Sequence, residues 1–415
     1  MDNVTSSTGS QTRLAVVVPE VRAADVVFNA AQIQDAITAL KADSPDWIIF
    51  PRLCLTGASC GDLFRQKLLQ IAALQALVDL AALSSGVASK ILLGLPLAIE
   101  NEIFEGLALL RDGQVETLMI APWPDSPALS PSVRLPEHAQ LDLGNKLLPL
   151  TAKHPFRSGK VEILPGNQPP SSMEADLLIS LVNLPALAPA EEFRRTAFDP
   201  STRQGITVIC SAGASESTTD QVFSGRAEIW QDGHCLAKAP ELSFETQIIQ
   251  AVCDQKSKKI VHLPEIEKMD ELPIRHPFIS RTEPEKQFAR LLDIQSAGLM
   301  KRLLHTHQRK VILGLSGGAD SSHALLVCCR AFDRLGLDRA DILAIQMPGP
   351  GSSKSSQERS TALTELAGVT QRTIPIGSAL LVHLNNIGHP RGLHDVTFEN
   401  AQARERTQIL MDLAN

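Results

Sequence analysis

The chain has 415 residues, too many for one ordinary core, and its 44% hydrophobic content is ample for two soluble domains. A formal net charge of −7, with no basic stripe, argues against a nucleic-acid partner, which calls for a surface rich in Lys and Arg. The polar start MDNVTSSTGSQTR holds no signal peptide and no apolar run approaches the length of a membrane span, so residues 1–13 read as a disordered N-terminus of a cytoplasmic protein without membrane contact. The seven cysteines, at 54, 60, 210, 235, 253, 328 and 329, form no CxxC pair and read as buried small hydrophobes rather than a zinc site or disulfide framework.

From Leu14 onward, short apolar runs alternate with helical patterns. Leu14–Val18, Trp47–Phe50, Ile91–Leu95 and Leu177–Leu181 read as strands buried on both faces. Residues 30–40 and 68–83 have helical spacing, and Asp112-Gly113 and Asp232-Gly233 are hairpin signals. Together these predict an α-β-β-α sandwich over residues 14–254. Five prolines, at 122, 124, 127, 131 and 136, make a loop of the segment 121–136. The polar, Lys-rich stretch 255–285 reads as a linker to a second domain, 286–415. There an amphipathic helix over 288–305 precedes a strand, a glycine turn and a helix, with further strands expected at 341–347 and 373–376. Strand–helix alternation of this kind implies a parallel sheet with ligands at the carboxyl ends of its strands.

The turn is the most informative feature. LGLSGGADSS, over 313–322, follows the run Val311-Ile312-Leu313 and opens a helix, so backbone N–H groups and the positive helix end face one point in space. Ser316 and Ser321 add hydroxyls, and Asp320 stands where a Mg²⁺ ion could bridge to phosphate. No Gly-Lys-Ser/Thr follows, so this is not a Walker A loop.

Further motifs complete the pattern: MPGPGSSKSS at 347–356, IGHP at 387–390 and DVTFENAQAR at 395–404, with FPRLCLTGASCGDLF at 50–64, GLPL at 94–97, SAGASESTTD at 211–220 and HPFIS at 276–280. With them the chain resembles the glutamine-dependent NAD⁺ synthetases, in which a nitrilase-like amidase domain is joined to an ATP pyrophosphatase domain with a parallel, Rossmann-like sheet. The resemblance implies adenylation of nicotinic acid adenine dinucleotide by ATP with Mg²⁺, then displacement of AMP by ammonia drawn from glutamine or from solution. It implies that Ser316, Gly317, Gly318, Asp320, Ser321 and Ser322 hold pyrophosphate, Asp320 the metal, Met347 the adenine and Ser353 the nucleotide nearby. Glu399, Asn400, Gln402 and Arg404 fall in the dinucleotide motif; read by themselves they also suit an exposed helix start capped by Thr397. The family further implies a homo-oligomer with small-molecule partners.

Two departures accompany the resemblance. The Glu-Lys-Cys triad of the amidase half is replaced: Arg52 stands at the glutamate, Trp123 near the lysine and Leu164 at the cysteine. Arginine cannot accept a proton and leucine cannot form a thioester. Cys54 and Cys60 lie near Arg52, which could lower a thiol pKa, but not at the nucleophile turn. The family pattern also runs beyond Asn415, with another strand and a T-G-N/D-x-S-E loop, so the resemblance implies a synthetase domain cut short. The expected function is therefore an ATP-dependent ligase without glutamine hydrolysis, the alternatives being a noncatalytic scaffold left by that enzyme or, more distantly, another adenylating enzyme.

Overall fold

The computed structural model describes residues 11–99, 102–121, 140–142, 147–151, 156–158, 160–165, 175–183, 185–186, 200–218, 220–254 and 283–415. It divides into two compact units, Met1–Gln287 and Phe288–Asn415. Residues 1–10, Trp123 with the proline segment 122–139, HPFIS and nearly all of the linker lie outside the described residues.

The first unit holds two sheets. Eight strands run in the order β14-β1-β2-β3-β4-β5-β7-β6: β1 (Gln11–Val18), β2 (Trp47–Ile49), β3 (Lys90–Ile99), β4 (Glu102–Arg111), β5 (Gln114–Ala121), β6 (Gln140–Asp142), β7 (Leu147–Thr151) and β14 (Gln247–Asp254). Six run in the order β13-β12-β11-β10-β9-β8: β8 (Phe156–Ser158), β9 (Val161–Pro165), β10 (Leu177–Val182), β11 (Ile206–Ser211), β12 (Ala227–Gln231) and β13 (His234–Lys238). Side-chain alternation divides β1 between two cores. Leu14, Val16 and Val18 pack with Ile179, Leu181 and Val208 of the second sheet, whereas Ala15 and Val17 pack with Ile33, Ile37, Leu77 and Leu80 of the helices α1 (Val26–Leu40) and α2 (Lys67–Leu83). Coverage of both faces is why β1 reads as an unbroken apolar run.

Both Asp-Gly pairs form two-residue hairpin turns. Asp112 and Gly113 have φ of 50° and 80°, Asp232 and Gly233 of 49° and 79°, as a turn matching the right-handed strand twist requires. One expectation about this unit is corrected. Helix α2 with the turn after it, Lys67–Gly86, is long and apolar enough to cross a membrane by length and composition. It lacks a single unbroken run, so run-counting misses it. In the fold it buries Leu69, Ala76, Leu77 and Leu80 in the core shared with the sheet.

The second unit begins inside α3 (Pro284–Thr306) and carries three parallel strands in the order β15 (Val311–Gly314), β16 (Ile342–Gln346), β17 (Thr370–Thr373). Helices α4 (Ala319–Leu335), α5 (Lys354–Ala367), α6 (Gly377–Asn386) and α7 (Val396–Ala414) complete it. The third strand lies at 370–373, not 373–376 as expected. Ile374 still donates to the Gln346 carbonyl at 2.8 Å, but Pro375 has no N–H to continue the ladder and Ile376 already opens α6. A second correction concerns α7, which is capped by Asp395 rather than Thr397. The Asp395 carboxylate accepts from the Phe398 N–H at 3.0 Å and pairs with His389 Nε2 at 2.9 Å. These two contacts hold its carboxyl below the usual range, the Phe398 N–H contributing most.

Candidate functional site

The phosphate loop leaves the carboxyl end of β15 and enters α4 at Gly318, whose side of the helix has no side-chain cap. The first N–H groups of a helix have no intrahelical acceptor, so an uncapped end is open to an anion. Around it the serines converge. The Ser321 hydroxyl accepts from the Ser316 N–H at 3.2 Å and lies 3.1 Å from the Ser316 hydroxyl, while the Ser322 hydroxyl donates to the Gly318 carbonyl at 2.7 Å. Gly317 has a φ of +76°, and a Cβ there would run into the Ser356 carbonyl oxygen on α5. Glycine is therefore needed twice, for the turn and for the close approach. Ser316, Gly318 and Asp320 are exposed.

The start of α5 is brought beside this loop. Ser353 caps α5, its hydroxyl accepting from the Ser356 N–H at 3.2 Å, and the Ser360 hydroxyl, buried, donates to the Leu315 carbonyl at 3.2 Å. Met347 follows β16 so closely that a Cβ on Gly314 would lie 3.0 Å from its methyl carbon. Gln402 is buried with its Oε1 against Gly349, and Arg406 Nε donates to the Met347 carbonyl at 3.3 Å. Thus Ser316 to Ser322, Met347, Ser353 and Gln402 gather at the carboxyl ends of β15 and β16. Glu399, Asn400 and Arg404 lie on exposed faces of α7, with Glu399 in its first turn. Asp320 is the carboxylate of the loop, and no group of three or more His, Cys, Asp or Glu that could hold a metal occurs among the described residues.

At the expected base position of the first unit, Arg52 is buried and forms a two-pronged ion pair with Glu105 of β4 through Nε and Nη2. The side chains are 5% and 0% exposed, so neither meets solvent. Burial pushes the Glu105 carboxyl up while the Arg52 guanidinium pulls it down. Leu164 lies in β9 opposite Ser180 and is buried. The thiols nearby are not activated: burial pushes Cys54 and Cys60 up to about 12. The Glu216 carboxylate, whose charge reaches both, raises them further. Glu216 is itself held by the N–H groups of Ala58 at 2.5 Å and Gly213 at 3.3 Å.

Residues 292–415 match the family model described as NAD synthase. The glutamine-dependent NAD(+) synthetase of Mycobacterium bovis is 29% identical over 94% of this chain and 66% of its own length, and that of Mycobacterium leprae 28% identical over 100% and 69%. Over nearly its full length the chain is similar to glutamine-dependent NAD(+) synthetases. It spans about two thirds of the length of these relatives. Two solved structures share its fold: a glutamine-dependent NAD(+) synthetase from Cytophaga hutchinsonii, with a TM-score of 0.76 at 17% identity over 97% of this chain and 73% of that one, and one from Acinetobacter baumannii in complex with adenosine diphosphate, with 0.71 at 19% over 98% and 73%.

Glu105 and Arg359 are the residues that sequence reasoning missed. Glu105 had a signal, since a lone carboxylate in the apolar strand IFEGLALL requires a buried cation. Arg359 had none that pointed to the loop, because Gly317 becomes its neighbour only through the fold, whereas Ser355 and Ser356 lie one turn earlier on the same helix. The thiol environments predict that alkylation at pH 8 modifies the exposed Cys235 and spares Cys54, Cys60 and Cys210 while the chain is folded. Peptide mass spectrometry reads this directly, and rapid native-state labelling of Cys54 or Cys60 would contradict it.

Proposed function

We propose that the chain acts in ATP-dependent formation of NAD⁺ from nicotinic acid adenine dinucleotide and that its amidase half does not hydrolyse glutamine. The observation that carries the first part is the whole phosphate loop, Ser316 to Ser322, set at an uncapped helix end beside the start of α5. The dinucleotide carboxylate oxygen attacks the α-phosphorus of ATP and the bond to pyrophosphate breaks; ammonia then attacks the acyl carbon and AMP leaves. Fixed amide dipoles and the Ser316, Ser321 and Ser322 hydroxyls stabilise the charge gathering on the departing pyrophosphate. Met347 and Ser353 meet the nucleotide, while Gln402, with Glu399, Asn400 and Arg404 on the same helix, belongs to the dinucleotide pocket. Asp320 is the carboxylate that would hold a Mg²⁺ ion, which would supply neutralising charge beside the departing pyrophosphate.

Loss of glutamine hydrolysis rests on Arg52, whose guanidinium is locked to Glu105 where the reaction needs a base, together with Leu164 at the nucleophile position. A cytoplasmic homo-oligomer with small-molecule partners is part of the reading. The same Arg52–Glu105 lock favours the second reading, a noncatalytic scaffold.

Incubation with nicotinic acid adenine dinucleotide, ATP and Mg²⁺ separates these readings. NAD⁺ is expected with ammonium and not with glutamine. Product from glutamine in ammonium-free buffer would refute the loss of the amidase, and no product and no ATP binding under either condition would leave the scaffold.

A further inference from the structure

One guanidinium reaches the phosphate loop from the neighbouring helix. Arg359 of α5 donates through Nε to the Gly317 carbonyl oxygen at 3.2 Å. Its two terminal nitrogens reach the Ser355 and Ser356 hydroxyls at 3.3 and 3.2 Å. The approach is possible because Gly317, at a φ of +76°, has no Cβ to strike the Ser356 carbonyl. The fork therefore ties the loop to the first turns of α5.

The consequence lies in the peptide between Gly317 and Gly318. A trans peptide is planar, with its C=O and N–H pointing opposite ways. Held by its carbonyl on the α5 side, this unit turns the Gly318 N–H the other way, toward the Ser316 hydroxyl at 3.3 Å, which is itself 3.1 Å from that of Ser321. Those are the donors assigned to pyrophosphate. A charge-assisted hydrogen bond to the carbonyl also polarises the amide and strengthens its N–H as a donor.

We propose that Arg359 is a positioning residue for pyrophosphate binding, orienting the 317–318 peptide so that the loop presents its amide to the anion. The proposal rests on the adenylation reading above. It does not require the guanidinium to touch the anion. It does require the planar fork, because a lysine ammonium cannot hold the carbonyl and two hydroxyls in one fixed geometry.

Isothermal titration of the full chain with inorganic pyrophosphate and Mg²⁺ tests it. Arg359→Ala is expected to weaken binding about tenfold, the scale of one hydrogen bond from a charged group. Arg359→Lys, which keeps the charge and loses the fork, is expected to stay several-fold weaker than the parent. Lys310→Ala removes an equal charge just before β15, at the end of the strand remote from the loop, and is expected to bind within twofold of the parent. Melting midpoints establish that the variants fold; if Arg359→Ala does not, Arg359→Lys decides by the same comparison. A parent chain that binds no pyrophosphate removes the adenylation reading and the positioning role together. A parent that binds, with Arg359→Ala within twofold of it or Arg359→Lys at full affinity, overturns the positioning role alone.

Discussion

Arg52→Ala is expected to destabilise the first unit by about 3–5 kcal/mol, the cost of leaving one buried charge without its partner. The partner left behind is Glu105, fully buried in β4. Burial already pushes its carboxyl up, and removal of Arg52 takes away what opposes that shift. The sign for pH follows. A carboxyl whose folded pKa lies above its unfolded value, about 4.3 for glutamate, adds stability below that value and loses it as pH rises through the folded pKa. The defect in Arg52→Ala is therefore expected to be small in acid and to deepen toward neutral pH, which denaturant melts at several pH values will show. Glu105→Ala strands a guanidinium that cannot shed its charge, so its defect persists into acid. The double substitution Arg52→Leu with Glu105→Leu is expected to recover most of the loss, as apolar replacement of a buried pair commonly does. Single and double variants of equal stability would show that the pair is not coupled. Arg52→Glu, by contrast, would set two buried carboxylates against each other.

Gly317→Ala is expected to reduce pyrophosphate binding by a factor of about 100 or more, roughly 2.7 kcal/mol. Left-handed backbone costs an alanine about 1–2 kcal/mol, and the new methyl would also collide with the Ser356 carbonyl, a backbone atom that cannot step aside. Gly336 supplies the control: its φ is +64° and nothing lies within 4 Å of a Cβ there. Gly336→Ala should thus show the backbone strain as lost stability without loss of binding. Titration with pyrophosphate distinguishes the two, and a Gly317→Ala chain that binds within threefold of the parent would detach the loop from anion binding.

Legibility in the sequence followed the range of the forces involved. Strands at 14–18, 47–50, 91–95 and 177–181 were readable because burial on both faces leaves unbroken apolar runs. The Asp-Gly hairpins and the phosphate loop were readable because positive φ and helix-end geometry demand particular residues at fixed local spacing. The cap of α7 was misread by two residues, since Asp395 and Thr397 are both good caps and the structure places the Asp395 carboxylate on the Phe398 N–H, with the His389 ring beside it. The third strand was misplaced for a similar reason: Thr370–Thr373 is polar and earns its place by pairing with β16, not by its own composition.

By itself the sequence determined the phosphate loop and the strand and hairpin plan, which depend on residue type within a short window. The tertiary structure decided what Arg52 pairs with and what supports the loop. Arg52 meets Glu105 across 53 positions and Arg359 meets Gly317 across 42. Such pairings depend on strand register and helix docking, and these are set by the burial of whole apolar faces rather than by any local signal.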